Sequence, residues 1–291
     1  MDILTNYTFQ IVALGSVILA VAAAPVGAFS VYKGQSLIGD AIGHSTFPGI
    51  ILAYMAFATR SPVVLLMGAI AAGAASYALI QLAHRDKRLG LDANLAIFLS
   101  GFFGLGMALK SFIQGNPDYA GASQAGLGTY IFGQAAYMLE ADVLLIAVVS
   151  ALVLTLLLLF YKELKLFVFD AEYAEVVGLP CRLLHVLLLV MTIAVIGIGI
   201  KAVGAILISS FLIIPCVAAN QWSNNFVRVL LLSSLIGAVS ALVGTYISTL
   251  EQGMSTGPSI ILVASLIAFF SILFGTKGIL GRVLKRRAQH G

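Results

Sequence analysis

The sequence predicts an all-α polytopic membrane protein of eight or nine transmembrane helices with one short cytoplasmic helix. Three observations carry this prediction. Of 291 residues, 60% are hydrophobic and only 10% are charged, with a mean hydropathy of +1.06; soluble domains carry about 25% charged residues. The apolar residues fall in runs of the length that crosses a bilayer, about 17 to 25 residues. The basic residues lie at the ends of those runs, so the net charge of +4 points to membrane topology and not to a nucleic-acid partner. No polar-patterned stretch is long enough for a soluble domain, and residues 1–291 read as a single transmembrane unit.

The first span is Phe9 to Val31, read as retained because no basic flank marks a signal peptide. A polar hinge from Tyr32 to Ser36 precedes the second span, Leu37 to Ala58. Arg60-Ser61-Pro62 is a tight turn with proline at a helix start, and the third span runs from Val63 to Ala83. A solvated basic loop, His84 to Arg88, leads to the fourth span, Ala93 to Phe112. The connection from Ile113 to Leu139 is the longest, and its Thr129 to Met138 piece reads as short amphipathic or re-entrant structure. The fifth span is Ala141 to Tyr161.

Lys162 to Arg182 is polar yet patterned. Phe169-Asp170-Ala171-Glu172-Tyr173-Ala174-Glu175 reads as the start of an amphipathic helix, with Asp170 able to cap and acids favoured in the first turn. Gly178-Leu179-Pro180 ends it. The sixth and seventh spans, Leu183 to Ile200 and Ala202 to Ala219, meet at Lys201 and Gly204. One of the two being re-entrant would leave eight spans. The last two spans are Val227 to Leu250 and Pro258 to Phe274, before the basic tail Lys285-Arg286-Arg287. With nine alternating spans and a cytoplasmic C-terminus, thirteen of the sixteen Lys and Arg residues lie inside, leaving Arg60, Lys110 and Lys201 outside.

Of twelve acids, Asp40 alone sits well inside an apolar run, and of four histidines only His44 is embedded beside a carboxylate. Four residues apart, the two share one face of a helix. An Asp at the centre of a membrane helix costs about 2.5–3.5 kcal/mol, so the pair is a functional candidate. Carboxylate plus imidazole suits a divalent first-row metal such as Mn²⁺, Zn²⁺ or Fe²⁺. Two ligands are few for a tight site, and a symmetric dimer would bring four. The alternative is a buried Asp–His hydrogen bond that pins helices together. Gly39, Gly43 and Gly49 permit close helix approach, and Pro48 can kink the helix. Cys181 and Cys216 make no disulfide framework. There is no phosphate-binding loop, since Gly275-Thr276-Lys277-Gly278 lacks the spacing. Ser45 falls on a different helical face from His44, which argues against an intramembrane serine hydrolase.

Several segments together resemble the membrane-spanning permease subunit of bacterial ABC importers for manganese, zinc or iron. The G-D-A-x-x-H-x-x-x-P-G core stands as Gly39, Asp40, Ala41, His44, Pro48 and Gly49. Thr129-Tyr130-Ile131-Phe132-Gly133 matches an S-Y-L-F-G-like piece. Phe169, Asp170, Glu172, Ala174 and Gly178 match F-D-x-E-x-A-x-x-x-G. Val203 to Leu207 through Ile214-Pro215, and Thr256-Gly257-Pro258, complete the series. Thr129 and Ala171 depart from the commoner Ser and Pro.

The resemblance implies a homodimeric permease of the cell membrane with one pore between two copies, surrounded by lipid. The chain would bind no cofactor and catalyse no reaction. The metal ion would be its substrate, and ATP would be hydrolysed by cytoplasmic ATPase subunits docked on a coupling helix at about 169–178. An extracytoplasmic metal-binding protein would deliver the ion, and Asp40 and His44 would bind it along the pore. By the charge-based topology the pair lies in the cytoplasmic half of its span, past the outer mouth. The competing function is an ion-coupled secondary carrier with no ATPase partner; such carriers commonly show internal repeats, and none is evident. A third reading makes the pair purely structural.

Overall fold

A computed structural model describes residues 6–59, 61–84, 90–116, 119, 138–250 and 254–280. Among them are eleven α-helices and no strand: α1 (Tyr7–Tyr32), α2 (Ser36–Phe57), α3 (Pro62–His84), α4 (Leu91–Gly115), α5 (Glu140–Leu159), α6 (Tyr161–Phe169), α7 (Ala171–Val176), α8 (Cys181–Val203), α9 (Ala205–Asn220), α10 (Phe226–Leu250) and α11 (Thr256–Phe274). The expected piece at Thr129–Gly133 lies outside the described residues.

The all-helical membrane fold is as expected, with a span count by length and composition slightly below the expected eight or nine. Seven helices (α1, α3, α4, α5, α8, α10 and α11) are long and apolar enough to cross a membrane. The other two apolar runs also form bundle helices, but neither meets both conditions. The polar Asp40 and His44 dilute α2, and α9 has only 16 residues, short of the roughly 20 that a full crossing takes. The reason for α9 is Gly204, whose φ of +100° breaks the chain between α8 and α9. Gly204 is buried, as are Val203 and Ile208 beside it. The junction therefore lies within the bundle and not at its surface.

The bundle is ordered around α1, which packs against α5, α8, α9 and α10. Small residues make this central position feasible: Ala20, Ala22, Ala23 and Ala24 are fully or almost fully buried. Gly27 lets α9 approach so closely that a Cβ there would stand 1.9 Å from the Leu212 carbonyl oxygen. The outer faces of α5, α10 and α11 are apolar and exposed, through Leu144, Leu158, Leu231, Leu235 and Phe269 among others. That inside-out pattern fits acyl chains as the surrounding solvent.

Helix ends collect at two poles. At one, Tyr7 of α1 donates to Glu140 of α5, and Ser248 of α10 meets Thr256 of α11 at 3.0 Å. At the other, Tyr32 donates to Asn220 (3.0 Å), Lys277 donates to the same Asn220 oxygen (3.2 Å), and Lys33 meets His185. The segments α6 and α7 also lie at this second pole.

A single helix does lie within the expected 169–178, as α7, with Phe169 outside it. Phe169 ends α6, Asp170 caps α7 by accepting from the Tyr173 N–H at 2.9 Å, and Gly178 at φ +86° turns the chain. The anticipated cap is therefore present, while the preceding amphipathic helix α6, with Leu164, Phe167 and Val168 buried, was read only as polar connection. Cys181 at the head of α8 points its Sγ back to the Ala171 carbonyl at 3.9 Å.

Candidate functional site

Asp40 stands one turn into α2, after the Gly34 turn (φ +72°) that reverses the chain from α1. His44 follows one turn later on the same face, its Nε2 lying 3.6 Å from Asp40 Oδ1. That separation is too long for a hydrogen bond, so the two groups face each other without closing on one another. The Asp40 side chain is 34% exposed and His44 13%. The carboxylate is held from another helix: Ser209 of α9 donates its hydroxyl to Oδ1 at 2.8 Å. Phe103 of α4 packs edge-on to the imidazole, ring centroids 5.0 Å apart. His44 Nδ1 is buried and makes no hydrogen bond.

The surroundings of the pair are rigid. Ser45 turns to the opposite side, donating to the Ala41 carbonyl and lying 2.7 Å from the Ser76 hydroxyl of α3; it is fully buried and has no base beside it. Gly49 and Gly68 bring α2 and α3 into backbone contact, since a Cβ on Gly49 would sit 2.1 Å from the Gly68 carbonyl oxygen. Gly106 of α4 makes the equivalent room for Phe47 and Pro48. Gly39 is less constrained, with Leu212 at an ordinary 3.5 Å. The helix continues through Pro48 to Phe57.

Asp40 and His44 share one face of α2, as their spacing predicts. Ser209 and Phe103 beside them were not expected. The signal for Ser209 was weak, a Ser209-Ser210 step inside an apolar run of the kind that ordinarily satisfies itself on its own helix. Among the described residues no group of three or more His, Cys, Asp or Glu side chains could hold a metal ion. The described residues of one copy therefore offer the Asp40–His44 pair and no larger cluster.

The residues expected to couple to a partner sit away from the pair. Asp170, Glu172 and Phe169 are exposed and Ala174 is buried against the rest of the chain. Tyr173 (55% exposed), Val176 (84%) and Val177 (55%) make an apolar prominence on and just after α7. Behind it, Phe169 packs on Tyr32 and on Phe226, centroids 5.3 and 5.1 Å away.

A second polar cluster links this pole to the bundle. Lys33 Nζ lies 2.6 Å from His185 Nδ1 and 3.7 Å above the Phe167 ring. The other His185 nitrogen, Nε2, bonds the Tyr77 hydroxyl, which also accepts from Gln81. Since the ammonium can only donate to Nδ1, the proton of the neutral ring belongs on Nε2. Burial pushes the Lys33 ammonium down to about 8.

Comparison with known proteins places this architecture. A family model described as the ABC 3 transport family matches residues 5–275. The zinc transport system membrane protein TroC of Treponema pallidum is 38% identical over 288 residues, covering 99% of this chain and 96% of TroC. The manganese transport system membrane protein MntC of Bacillus subtilis is 38% identical over 268 residues, covering 92% of this chain and 61% of that longer relative. A solved structure described as PsaBC from Streptococcus pneumoniae in complex with Fab superposes with a TM-score of 0.84 at 27% identity, covering 98% of this chain and 96% of that one. The helix order, the embedded Asp–His pair, the capped helix at one pole and these matches converge: the chain belongs to the ABC 3 transport family, as a membrane-spanning permease subunit.

Proposed function

We propose that this chain forms, as a homodimer, the pore of an ATP-driven importer for a divalent transition metal, and that Asp40 and His44 of both copies bind the ion in transit. The observation that carries the reading is the open pair itself. Ligand atoms about 2.0–2.2 Å from one ion stand roughly 3.0–3.5 Å apart, and Nε2 and Oδ1 lie 3.6 Å apart without bonding to each other. Two ligands from each copy, with the remaining positions left to water, bind weakly enough to release the ion. Ser209 holds the carboxylate ready, so little reorganisation accompanies each passage.

The exposed Tyr173-Val176-Val177 prominence supports docking of cytoplasmic ATPase subunits at α7, where ATP hydrolysis would drive alternating access. An extracytoplasmic metal-binding protein would deliver the ion at the opposite pole. In this reading the C-terminus, with its basic tail, faces the cytoplasm, and the pair is a waypoint past the outer mouth. We propose manganese as the ion, with zinc and iron as alternatives: relatives at equal identity are named for zinc and for manganese, and a carboxylate ligand suits manganese.

The test is cellular metal content. Asp40→Ala and His44→Ala should each abolish accumulation at unchanged membrane levels, and normal accumulation in both variants would sink the proposal. Elemental analysis of cells lacking the chain, grown with manganese, zinc or iron limiting in turn, identifies the ion.

A further inference from the structure

The Lys33 cluster is not used by the pathway above, and its geometry is unusual. Lys33 lies at the Tyr32–Ser36 turn, immediately before the helix that carries Asp40 and His44. It reaches α8 through His185, α3 through His185 to Tyr77 and Gln81, and α6 through the Phe167 ring. Its neighbour Tyr32 is held by Phe169, two residues on from Phe167. Consecutive residues of the turn are thus gripped from consecutive faces of the segment that leads into α7.

Two further features make this contact a movable one. Among the described residues Lys33 has no carboxylate partner; an imidazole nitrogen and a ring face hold an ammonium less firmly than an ion pair does. Alongside lies a small, partly open pocket of about 20 Å³, room for a water-sized group, lined by Ser30, Gln35, Ile38, His185 and Thr192 among others. Gly34, at φ +72°, has no atom beyond its chain neighbours within 4 Å of where a side chain would begin.

We infer that Lys33, His185 and Tyr77 are positioning residues that transmit movement of α6 and α7 to the α1–α2 turn, and through it to Asp40 and His44. The inference rests on the proposed ATP-driven function. When α6 shifts, Phe167 and Phe169 drag the turn, and α2 moves with it. Without the ammonium only the Tyr32–Phe169 contact ties α6 to the turn, and α2 follows α6 less closely.

The test uses the complete complex with its ATPase in proteoliposomes, following Mn²⁺ uptake and phosphate release together. Lys33→Ala should hydrolyse ATP at close to the wild-type rate while Mn²⁺ moved per ATP falls about tenfold or more, the size of a typical coupling energy. Lys33→Arg, which keeps the charge and stacks on Phe167, should recover most of the loss. His185→Ala should behave like Lys33→Ala, and His185→Gln, which can still accept from Lys33 and donate to Tyr77, should be milder. A wild-type ratio of Mn²⁺ to ATP in Lys33→Ala and His185→Ala overturns the inference, as does a parallel fall of both activities. Should Lys33→Ala not assemble, the contrast between His185→Ala and His185→Gln decides. A wild-type complex that moves no Mn²⁺ on ATP removes the functional proposal and this one with it; a transporting wild type with indifferent variants removes this one alone.

Discussion

At the scale of single residues, Asp40 was legible because a carboxylate in an apolar run has few structural excuses, and His44 because i,i+4 spacing fixes a shared face. Ser209 was not, since a hydroxyl 169 positions away leaves no trace in local pattern. Its loss is nevertheless testable. Ser209→Ala removes a hydrogen bond to a charged group, about 1.5–3 kcal/mol, so half-maximal uptake should need about ten times more metal or beyond, with Ser209→Thr near wild type. Lys33 was readable as a topology charge but not as the partner of His185, 152 positions on. Its ammonium, held down to about 8 chiefly by burial, titrates in a window of its own. In the folded chain it is charged below about 8, and between that value and the ordinary lysine range the folded state binds fewer protons than the unfolded one. Folding stability therefore rises with pH across that window, while the ammonium contact on Phe167 is lost. His185 and Cys181, both of α8, are the titratable groups beside it. Metal moved per ATP should decline above pH about 8 with no fall in thermal midpoint, and Lys33→Arg should flatten that decline.

Elements were read with fair accuracy where a long apolar run met a capping or breaking residue. The start of α7 was foreseen from Asp170, and replacing it with Ala should cost about 1 kcal/mol through the lost cap, seen as faster hydrogen exchange across residues 171–176. The break at Gly204 was legible as a junction between two runs, and it shortens α9. The amphipathic α6 was not legible, being too short for periodicity to identify against its polar flanks. Helix contacts were the least legible, because glycine spacing shows which backbones can approach but not which do. The structure separates them. Gly49→Ala and Gly27→Ala should lower the apparent thermal midpoint in detergent by the equivalent of about 1–3 kcal/mol, since each Cβ would meet a carbonyl of the facing helix. Gly115→Ala, with open space around it, should lose nothing. A Gly49→Ala variant as stable as wild type would contradict the close α2–α3 packing.

For the whole molecule, the two poles turn a charge count into a statement about sidedness. Residues 220–226, α6, α7 and the α1–α2 turn share one pole, and the α10–α11 junction lies at the other. With Cys181 replaced by Ser, a membrane-impermeant maleimide should label Met254→Cys in intact cells and Asn224→Cys only after permeabilisation; the reverse order would invert the molecule and move ATPase docking off α7. The native thiols have a separate use. Cys216 is fully buried, while Cys181 is partly exposed at the joint between α7 and α8. A thiol-reactive dye should therefore attach at Cys181 and spare Cys216, one per chain. It would place an optical reporter at the joint between α7, the proposed docking surface, and the bundle, in an unmutated protein that can be watched turning over.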